Sequence, residues 1–414
     1  MKSLNHLLDD HLKSNNIYED DPCWVIRQSK LSGRGLFAKR DINAGEVIFK
    51  DNTLIIGPRS SMLCPTVCVN CYKQVDLRFC SKNCGLPVCS EECESSSVHT
   101  QECQRIVFWK NEKEDHDFGE TISKCLTPIR CLFLNENQKT LLKCLKSHEG
   151  DHHGFEVDLL KKKFMLNFRD EEEELMRLTC RILDANSFEV SVGNEQSRCG
   201  LRGLYPLSSL MNHSCIPNTM HNFNNQQTMI VKATVFIREG EEIFHSYTRL
   251  TWGTAVRRGH LVRTKHFFCQ CRRCEDPTEF DTNLSGVLCE KCGDVVLPFY
   301  NGMDIFWRCV VCDNKMSTKK VNGMLRILGS RINSFNNADV EDMLSFLKKK
   351  IPNYLPQHNQ ISIELKYKLV WILGYDPKYL WTVNNIPLDE LYTFFCGTLT
   401  QFSPEGLKVK IELL

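Results

Sequence analysis

Eight metal-ligating side chains fall within thirty-six positions of this chain, and they constrain its fold more than any other feature. They are Cys68, Cys71, Cys80, Cys84, Cys89, Cys93, His99 and Cys103. Eight ligands fill two tetrahedral zinc sites with none left over. Too few apolar residues lie between them to build a core, so metal binding has to supply the folding energy of this stretch. We therefore predict two zinc ions here, with disulfides as the alternative.

Whether these thiols bind zinc or form disulfides depends on the redox state of the compartment in which the protein lies. The chain has 414 residues and 23 cysteines, about four times the ordinary usage. Its N-terminus has no apolar core of signal-peptide length, and no stretch of about eighteen apolar residues occurs. We therefore expect no membrane segment and a reducing compartment, in which clustered thiols bind zinc. The formal net charge of +1 and the lack of a basic recognition helix disfavour a DNA-binding zinc protein.

Two further thiol clusters follow the first. Cys269, Cys271 and Cys274 cannot close a tetrahedral zinc site alone, and we predict that Cys215 supplies the fourth thiol. Another four-thiol group has the spacing of a zinc ribbon, and unligated cysteine pairs are the alternative there. Its members are Cys289, Cys292, Cys309 and Cys312. Every zinc site predicted in this way is closed by four protein ligands, which is typical of structural sites.

The stretch 207–218 carries the strongest indication of a small polar ligand. An apolar run delivers Asn212 and His213 to a turn that Pro217 and Asn218 enforce. The Asn amide both donates and accepts, and His adds a ring and a backbone carbonyl, which suits reading a purine edge rather than nucleophilic attack. The alternative is a turn that follows a core segment.

Asn212-His213-Ser-Cys215-x-Pro-Asn resembles the signature of the SET-domain protein-lysine methyltransferases, and residues 240–247 resemble the second signature of that family. The resemblance implies that the two stretches form a pseudoknot beside S-adenosylmethionine. It also implies that Asn212 and His213 contact this cofactor, and that the Tyr247 hydroxyl points at the methyl group in transfer. A buried strand tyrosine with one hydrogen bond is the alternative for Tyr247.

Residues 24–50 read as two short strands joined by a glycine turn, Gly33-Arg34-Gly35. This segment resembles the opening strands of SET domains, where the turn lies along the methionine part of the cofactor. Ser32 stands where some relatives carry a basic residue. The pattern of residues 41–48 recurs at 237–243, which predicts a β-rich fold made of strand, turn and strand units.

The order of the first eight ligands resembles the MYND finger, a small module that takes proline-rich peptides. The resemblance implies interleaved sets: Cys68, Cys71, Cys89 and Cys93 on one zinc, and Cys80, Cys84, His99 and Cys103 on the other. Cys64 falls outside this pattern. A MYND finger inserted into a SET domain is the arrangement of the SMYD family, and residues 271–279 resemble its arthropod SmydA branch.

Apolar residues recur at helical spacing over residues 104–200. The acidic run 170–174 is predicted to be the solvated start of a helix, rather than an acidic patch that attracts lysine substrates. Asn186-Ser-Phe resembles the SMYD segment whose asparagine touches the cofactor. The same resemblance implies that Phe267 packs on the adenine of the cofactor or lines the channel for the lysine substrate. The alternative is that Phe267 is a phenylalanine of the hydrophobic core. Arg257, Arg258 and Arg263 are predicted to be solvated charges.

These patterns together predict an α+β fold: a β-rich SET domain with a pseudoknot, an inserted MYND zinc finger, a helical insertion, a post-SET zinc site, a zinc-ribbon-like segment and an α-helical C-terminal region. The expected segments are 1–20 (N-terminal), 21–63 (first SET strands), 64–103 (MYND), 104–200 (helical insertion), 201–250 (SET core), 251–280 (post-SET), 285–316 (ribbon) and 317–414 (helical).

The expected function is methyl transfer from S-adenosylmethionine to lysine in histones or other proteins, in the cytoplasm and nucleus, by a monomer that binds neither nucleic acid nor membrane. The predicted zinc ions are two in the MYND finger, one in the SET and post-SET site and a further one in the ribbon. The alternative is a catalytically weak SET and MYND adaptor that acts as a transcriptional corepressor scaffold.

Overall fold

A computed structural model describes residues 3–31, 33–58, 66–110, 118–148, 154–192, 199–335 and 339–375 of the chain. Ser32, Cys64 and the C-terminal part of the predicted helical region beyond residue 375 lie outside the described residues. Among the helices that are described, none is both long and apolar enough to cross a bilayer.

The strands and helices alternate irregularly along the chain. The strands are β1 (Trp24–Gln28), β2 (Arg34–Ala38), β3 (Val47–Asp51), β4 (Ile55–Pro58), β5 (Arg78–Phe79), β6 (Pro87–Val88), β7 (Phe188–Val192), β8 (Cys199–Leu204), β9 (Asn212–His213), β10 (Thr219–Phe223), β11 (Met229–Ala233), β12 (Glu242–His245), β13 (Val287–Leu288), β14 (Val295–Asn301), β15 (Asp304–Cys309) and β16 (Lys315–Met316). The α-helices are α1 (Leu4–Ser14), α2 (Glu91–Ser95), α3 (Ser97–Trp109), α4 (Phe118–Lys124), α5 (Leu126–Ile129), α6 (Glu136–Lys143), α7 (Phe155–Asp158), α8 (Asp170–Asn186), α9 (Thr254–Lys265), α10 (Arg272–Glu275), α11 (Thr318–Ser334), α12 (Val340–Ser345) and α13 (Gln360–Tyr375).

Small sheets form the centre of the molecule, which confirms the predicted α+β class. One sheet has the order β1-β2-β12-β9, and two others have the orders β10-β11-β3 and β4-β8-β7. Strand β12 runs antiparallel to β2 and parallel to β9. It therefore brings the second signature between the first strands of the chain and the Asn212-His213 pair.

The two strand, turn and strand units predicted from the repeated pattern pair with each other. Ile42 and Ile237 exchange both backbone hydrogen bonds, at 2.8 and 2.9 Å. Gly45 and Gly240 occupy the turns with φ of +86° and +82°, where residues with a β-carbon are strained. This pairing fixes the start of β3 relative to the start of β12.

Four hydrophobic clusters support these sheets. The SET strands pack with α1, which buries Leu7, Leu8 and Leu12. A second cluster joins the zinc-finger region to helices α3–α8. A third joins the ribbon strands β13–β16 to α11–α13, and a small fourth surrounds Cys215, Leu261, Cys269 and Cys274. The last of these lies beside the site described below.

The region predicted to be helical ends earlier than its spacing suggested. Helix α8 stops at Asn186, and β7 and β8 follow as an antiparallel pair. Phe188 and Val190 alternate with polar residues in β7, and this period of two overrides the helical pattern. The acidic run that begins α8 is not solvated throughout, contrary to the prediction. Glu172 is buried, and its carboxylate accepts a hydrogen bond from the Arg169 backbone N–H at 3.0 Å.

Candidate active site

A cavity of about 1720 Å³ opens where the two signatures meet, between β9, the end of β12 and the end of α9. Seven of the eight residues predicted to contact a cofactor line it: Gly33, Arg34, Asn186, Asn212, His213, Tyr247 and Phe267. They come from segments as far apart in the sequence as Gly33 and Phe267. The eighth, Gly35, is not among the lining residues.

A carboxylate explains the position of Asn212 and the need for Gly35. The Asn212 amide nitrogen donates to the Glu242 carboxylate at 2.7 Å and to the Arg34 carbonyl at 3.2 Å. The Ser29 hydroxyl donates to the other oxygen of Glu242 at 2.9 Å. A β-carbon on Gly35 would lie 2.3 Å from the Glu242 carboxylate. Gly35 therefore leaves room for the bond that positions Asn212.

Replacing Glu242 by alanine is expected to lower the free energy of unfolding by about 1–3 kcal/mol, because the Ser29 hydroxyl loses its acceptor and the Asn212 amide nitrogen keeps only the longer bond to the Arg34 carbonyl. Chemical denaturation measures this change. The matched control is Glu241→Ala, since Glu241 is exposed and its carboxylate meets the exposed Arg238, through the backbone N–H at 2.9 Å and the guanidinium at 3.8 Å. The control should stay within about 0.5 kcal/mol of wild type, and equal losses in the two variants would contradict the role of Glu242.

The His213 ring faces the protein interior, and both of its nitrogens form hydrogen bonds there. Its Nδ1 accepts a hydrogen bond from the Tyr247 backbone N–H at 2.9 Å, so Nε2 carries the proton and donates to the Cys215 sulfur at 3.2 Å. Burial lowers the pKa of His213 to about 4, so the ring is neutral. His213 thus links a predicted zinc ligand to the backbone of Tyr247, and its ring is not left to bind a cofactor.

Tyr247 has a partner that the sequence did not indicate. Its hydroxyl donates to the Met211 carbonyl at 2.8 Å. Burial, together with the negative charge of Glu242, raises the pKa of Tyr247 above its ordinary value. The phenol therefore stays protonated and can orient a reacting group but cannot act as a general base at neutral pH.

Aromatic rings surround Tyr247. The Phe267 ring lies 6.4 Å from it and 5.8 Å from the His213 ring. His245 lies 5.2 Å from Tyr247 and also contacts Phe188 at 5.2 Å. Desolvation holds the pKa of His245 well below its ordinary value, so this ring is neutral as well. The wall around the Tyr247 ring is consequently apolar or uncharged on these sides.

Lys265 supplies a cation at the edge of this wall. Its ammonium group lies 5.6 Å from the Tyr247 ring centroid and donates to the carbonyls of Asp184 and Ala185 at 3.1 and 2.7 Å. These carbonyls belong to the last turn of α8, where a cation is favourable. The Asn186 amide nitrogen donates to the carbonyls of Lys146 and Ile182. Lys265 and these two bonds together hold Asn186 at the cavity.

The structure gathers the predicted metal ligands into four groups of four, with the ligand atoms of each group within 4.8 Å of one another. The groups are Cys68, Cys71, Cys89 and Cys93; Cys80, Cys84, His99 and Cys103; Cys215, Cys269, Cys271 and Cys274; and Cys289, Cys292, Cys309 and Cys312. The interleaved grouping of the first eight ligands and the participation of Cys215 are as predicted.

The spacing of the sulfur atoms fits zinc. A tetrahedron with Zn–S bonds of about 2.3 Å has edges of about 3.8 Å. The Cys215 sulfur lies 3.9 Å from that of Cys269 and 3.5 Å from that of Cys274. Cys292 and Cys309 are 3.5 Å apart. Each of these cysteines is free rather than paired in a disulfide. The donor set and its dimensions therefore suit a structural zinc ion.

The prediction that Arg257 and Arg258 are solvated is wrong. Arg257 is 0% exposed and Arg258 is 4% exposed, whereas Arg263 on the same helix is exposed as predicted. Arg257 donates to the sulfurs of Cys215 and Cys274 at 3.2 and 3.4 Å. Helical spacing alone did not reveal this, because the partners come from segments distant in the sequence.

Four residues of the site were missed or misread in the sequence: Glu242, Lys265, Arg257 and Glu279. Glu242 lies inside the second signature, and an acidic residue that begins a strand beside Gly240 was the available signal. Glu279 is 0% exposed and ends the segment 271–279 that carried the SmydA resemblance. No local pattern distinguished Lys265 from a solvated lysine at the end of a helix.

Comparison with known proteins places these observations in a family. Residues 33–248 match the SET domain family. The chain is similar to SET domain-containing protein SmydA-8, isoform B, of Drosophila melanogaster, with 35% identity over 89% of this chain and 84% of that protein. It is 25% identical to histone-lysine N-methyltransferase ASHR1 of Arabidopsis thaliana over 80% of this chain and 73% of that one. N-lysine methyltransferase SMYD2 of Rattus norvegicus is 26% identical over 58% of each chain.

Proposed function

Because the chain belongs to the SET-domain proteins of the SMYD family, in the SmydA branch, we propose that it transfers methyl groups from S-adenosylmethionine to lysine side chains of proteins. The observation that carries this proposal is the cavity lined by both signatures, in which Tyr247, Asn212 and Phe267 meet. The relatives named as lysine methyltransferases support the same reaction.

The residues of the cavity have distinct roles in this proposal. S-adenosylmethionine would supply an electrophilic methyl group, and transfer to an amine needs orientation and exclusion of water rather than covalent catalysis. Asn212, held by Glu242, and Asn186, held at the end of α8, bind the cofactor together with the Gly33-Arg34 turn. Phe267 covers one side and keeps water out.

The lysine substrate has to lose its proton before it attacks, since its ordinary pKa is about 10.4. The neutral rings of His213, His245 and Phe267 around Tyr247 give a poorly solvating environment, which disfavours the ammonium form. The nearby Lys265 cation disfavours it further. Tyr247 orients the neutral amine through its hydroxyl, which the Met211 carbonyl fixes.

The four cysteine-rich groups hold structural zinc in this proposal, two ions in the finger formed by residues 68–103, one at Cys215 and one in the ribbon. The finger is a MYND module for proline-rich peptides of partner proteins. A monomer that acts in the cytoplasm and nucleus, on histones or other proteins, completes the proposal. None of the proposed roles requires contact with nucleic acid or membrane.

Titration of zinc-replete protein with S-adenosylmethionine by calorimetry tests the cofactor site. We expect saturable binding, and at least about tenfold weaker binding by Asn212→Ala, because a half-buried hydrogen-bonding group that contacts the ligand is worth about 1.5 kcal/mol. Asn222→Ala is the matched control, since Asn222 is exposed on β10 away from the cavity lining. Lack of binding in all three proteins would favour a SET and MYND scaffold that recruits partners.

A further inference from the structure

Three buried arginines surround the group formed by Cys215, Cys269, Cys271 and Cys274. Arg257, Arg258 and Arg273 are 0%, 4% and 2% exposed. Arg257 donates through Nε to the Cys215 sulfur and through Nη2 to the Cys274 sulfur. Arg273 donates to the Cys215 carbonyl at 3.3 Å, and Arg258 donates to the Cys269 carbonyl at 2.9 Å. Such a concentration of buried cations requires compensating negative charge.

Within the described part of the chain, a carboxylate supplies part of this compensation. Glu279 is 0% exposed, and its carboxylate accepts hydrogen bonds from Arg257 at 2.7 Å and Arg273 at 3.3 Å. It also accepts from the Thr254 backbone N–H and the Ser285 hydroxyl. Glu279 therefore pairs with two of the three guanidinium groups. Arg258 instead lies 4.2 Å from both the Phe268 and Tyr300 ring centroids, and these rings provide no net charge.

A zinc ion bound by four thiolates has the opposite imbalance. Four thiolates exceed the charge of Zn²⁺ by two negative charges. The three arginines exceed Glu279 by two positive charges. The metal group and its surroundings together are therefore neutral, although each alone would leave uncompensated charge in the interior.

We propose that Arg257, Arg258, Arg273 and Glu279 form a charge-compensating shell that retains zinc at Cys215, Cys269, Cys271 and Cys274, with Arg257 as the residue that acts directly on the sulfurs. Its two N–H···S hydrogen bonds hold the Cys215 and Cys274 sulfurs in place and set a positive charge beside them. The shell also fixes the start of α9, because the Glu279 carboxylate accepts from the Thr254 N–H at 2.9 Å.

Site-resolved alkylation tests this proposal without any assay of methyl transfer. Full-length, zinc-replete protein is treated with N-ethylmaleimide, and the modification rate of each cysteine is read by peptide mass spectrometry. In Arg257→Met we expect Cys215, Cys269, Cys271 and Cys274 to react about 10–100-fold faster, as is typical when an outer-shell partner of a metal site is lost. Cys289, Cys292, Cys309 and Cys312, which this shell does not contact, should keep their rates and report that the fold is intact.

Two further variants separate charge from packing. Arg263→Met removes an exposed arginine from the same helix and should match wild type. Arg257→Lys keeps the positive charge but loses the forked hydrogen bonds, and it should react at least about fivefold more slowly than Arg257→Met. Wild-type rates in Arg257→Met would overturn the proposal. Equal rates in the Lys and Met variants, with the ribbon cysteines at their wild-type rates in both, would also overturn it, because the positive charge would then have no effect on zinc retention.

Discussion

Replacing Tyr247 by phenylalanine is expected to reduce methyl transfer by about 10²–10³-fold while S-adenosylmethionine still binds, since this is the size of effect seen when one preorganised hydrogen-bonding group is lost from an active site. The hydroxyl that is removed lies at the cavity and is held at 2.8 Å from the Met211 carbonyl. The phenylalanine ring preserves the packing against His213, His245 and Phe267. The change therefore removes the hydroxyl that orients the substrate amine and leaves the aromatic rings around it in place.

The measurement is transfer of a radiolabelled methyl group to protein from cell extract, with cofactor binding followed separately by calorimetry. Tyr205→Phe is the matched control, because the Tyr205 hydroxyl also donates to a backbone carbonyl, that of Gln227 at 2.6 Å, outside the cavity lining. It should lower stability by about 0.5–1.5 kcal/mol and leave transfer within a few-fold. Unchanged transfer by Tyr247→Phe would remove Tyr247 from the reaction.

Local spacing in the sequence was sufficient to predict what depends on neighbouring residues. The cysteine spacings predicted metal binding, because a metal imposes short and regular separations on its ligands. The division of the first eight ligands into two interleaved groups came from the resemblance to the MYND finger. The repeated glycine turns at Gly45 and Gly240 were also visible, since a turn with positive φ selects glycine directly. The resemblance to two SET signatures added the fold, which the sheet containing β9 and β12 confirms.

Features that depend on long-range pairing could not be predicted in this way. Arg257 reads as a solvated helical residue until α9 is placed against Cys215, forty-two positions earlier in the chain. Glu242 reads as one more acidic residue in a polar turn until Ser29 and Asn212 are placed on its two oxygens. In both cases the charged group is hydrogen-bonded to partners from other segments, and helical or strand periodicity does not indicate those partners.

Replacing Cys215 by alanine is expected to remove one zinc ion per chain and to weaken S-adenosylmethionine binding at least about 100-fold, because three thiols cannot close the site. The Cys215 sulfur also accepts from the His213 ring, whose other nitrogen holds the Tyr247 backbone. Losing it therefore releases the segment carrying Phe267 and loosens the connection to Tyr247 in one step. It also leaves Arg257 buried without one of its acceptors.

Zinc content by plasma mass spectrometry and cofactor binding by calorimetry measure the two losses. Cys23→Ala is the control, since Cys23 is also buried but its thiol donates to the Ile48 carbonyl at 3.4 Å and belongs to none of the four ligand groups. It should keep all its zinc and lose only about 1 kcal/mol of stability. Loss of zinc with unchanged cofactor affinity would mean that the sheet pairing of β9 with β12 suffices to hold Asn212 and Tyr247. The metal would then stabilise the post-SET segment alone, and the link from Cys215 through His213 to Tyr247 would have no role in binding.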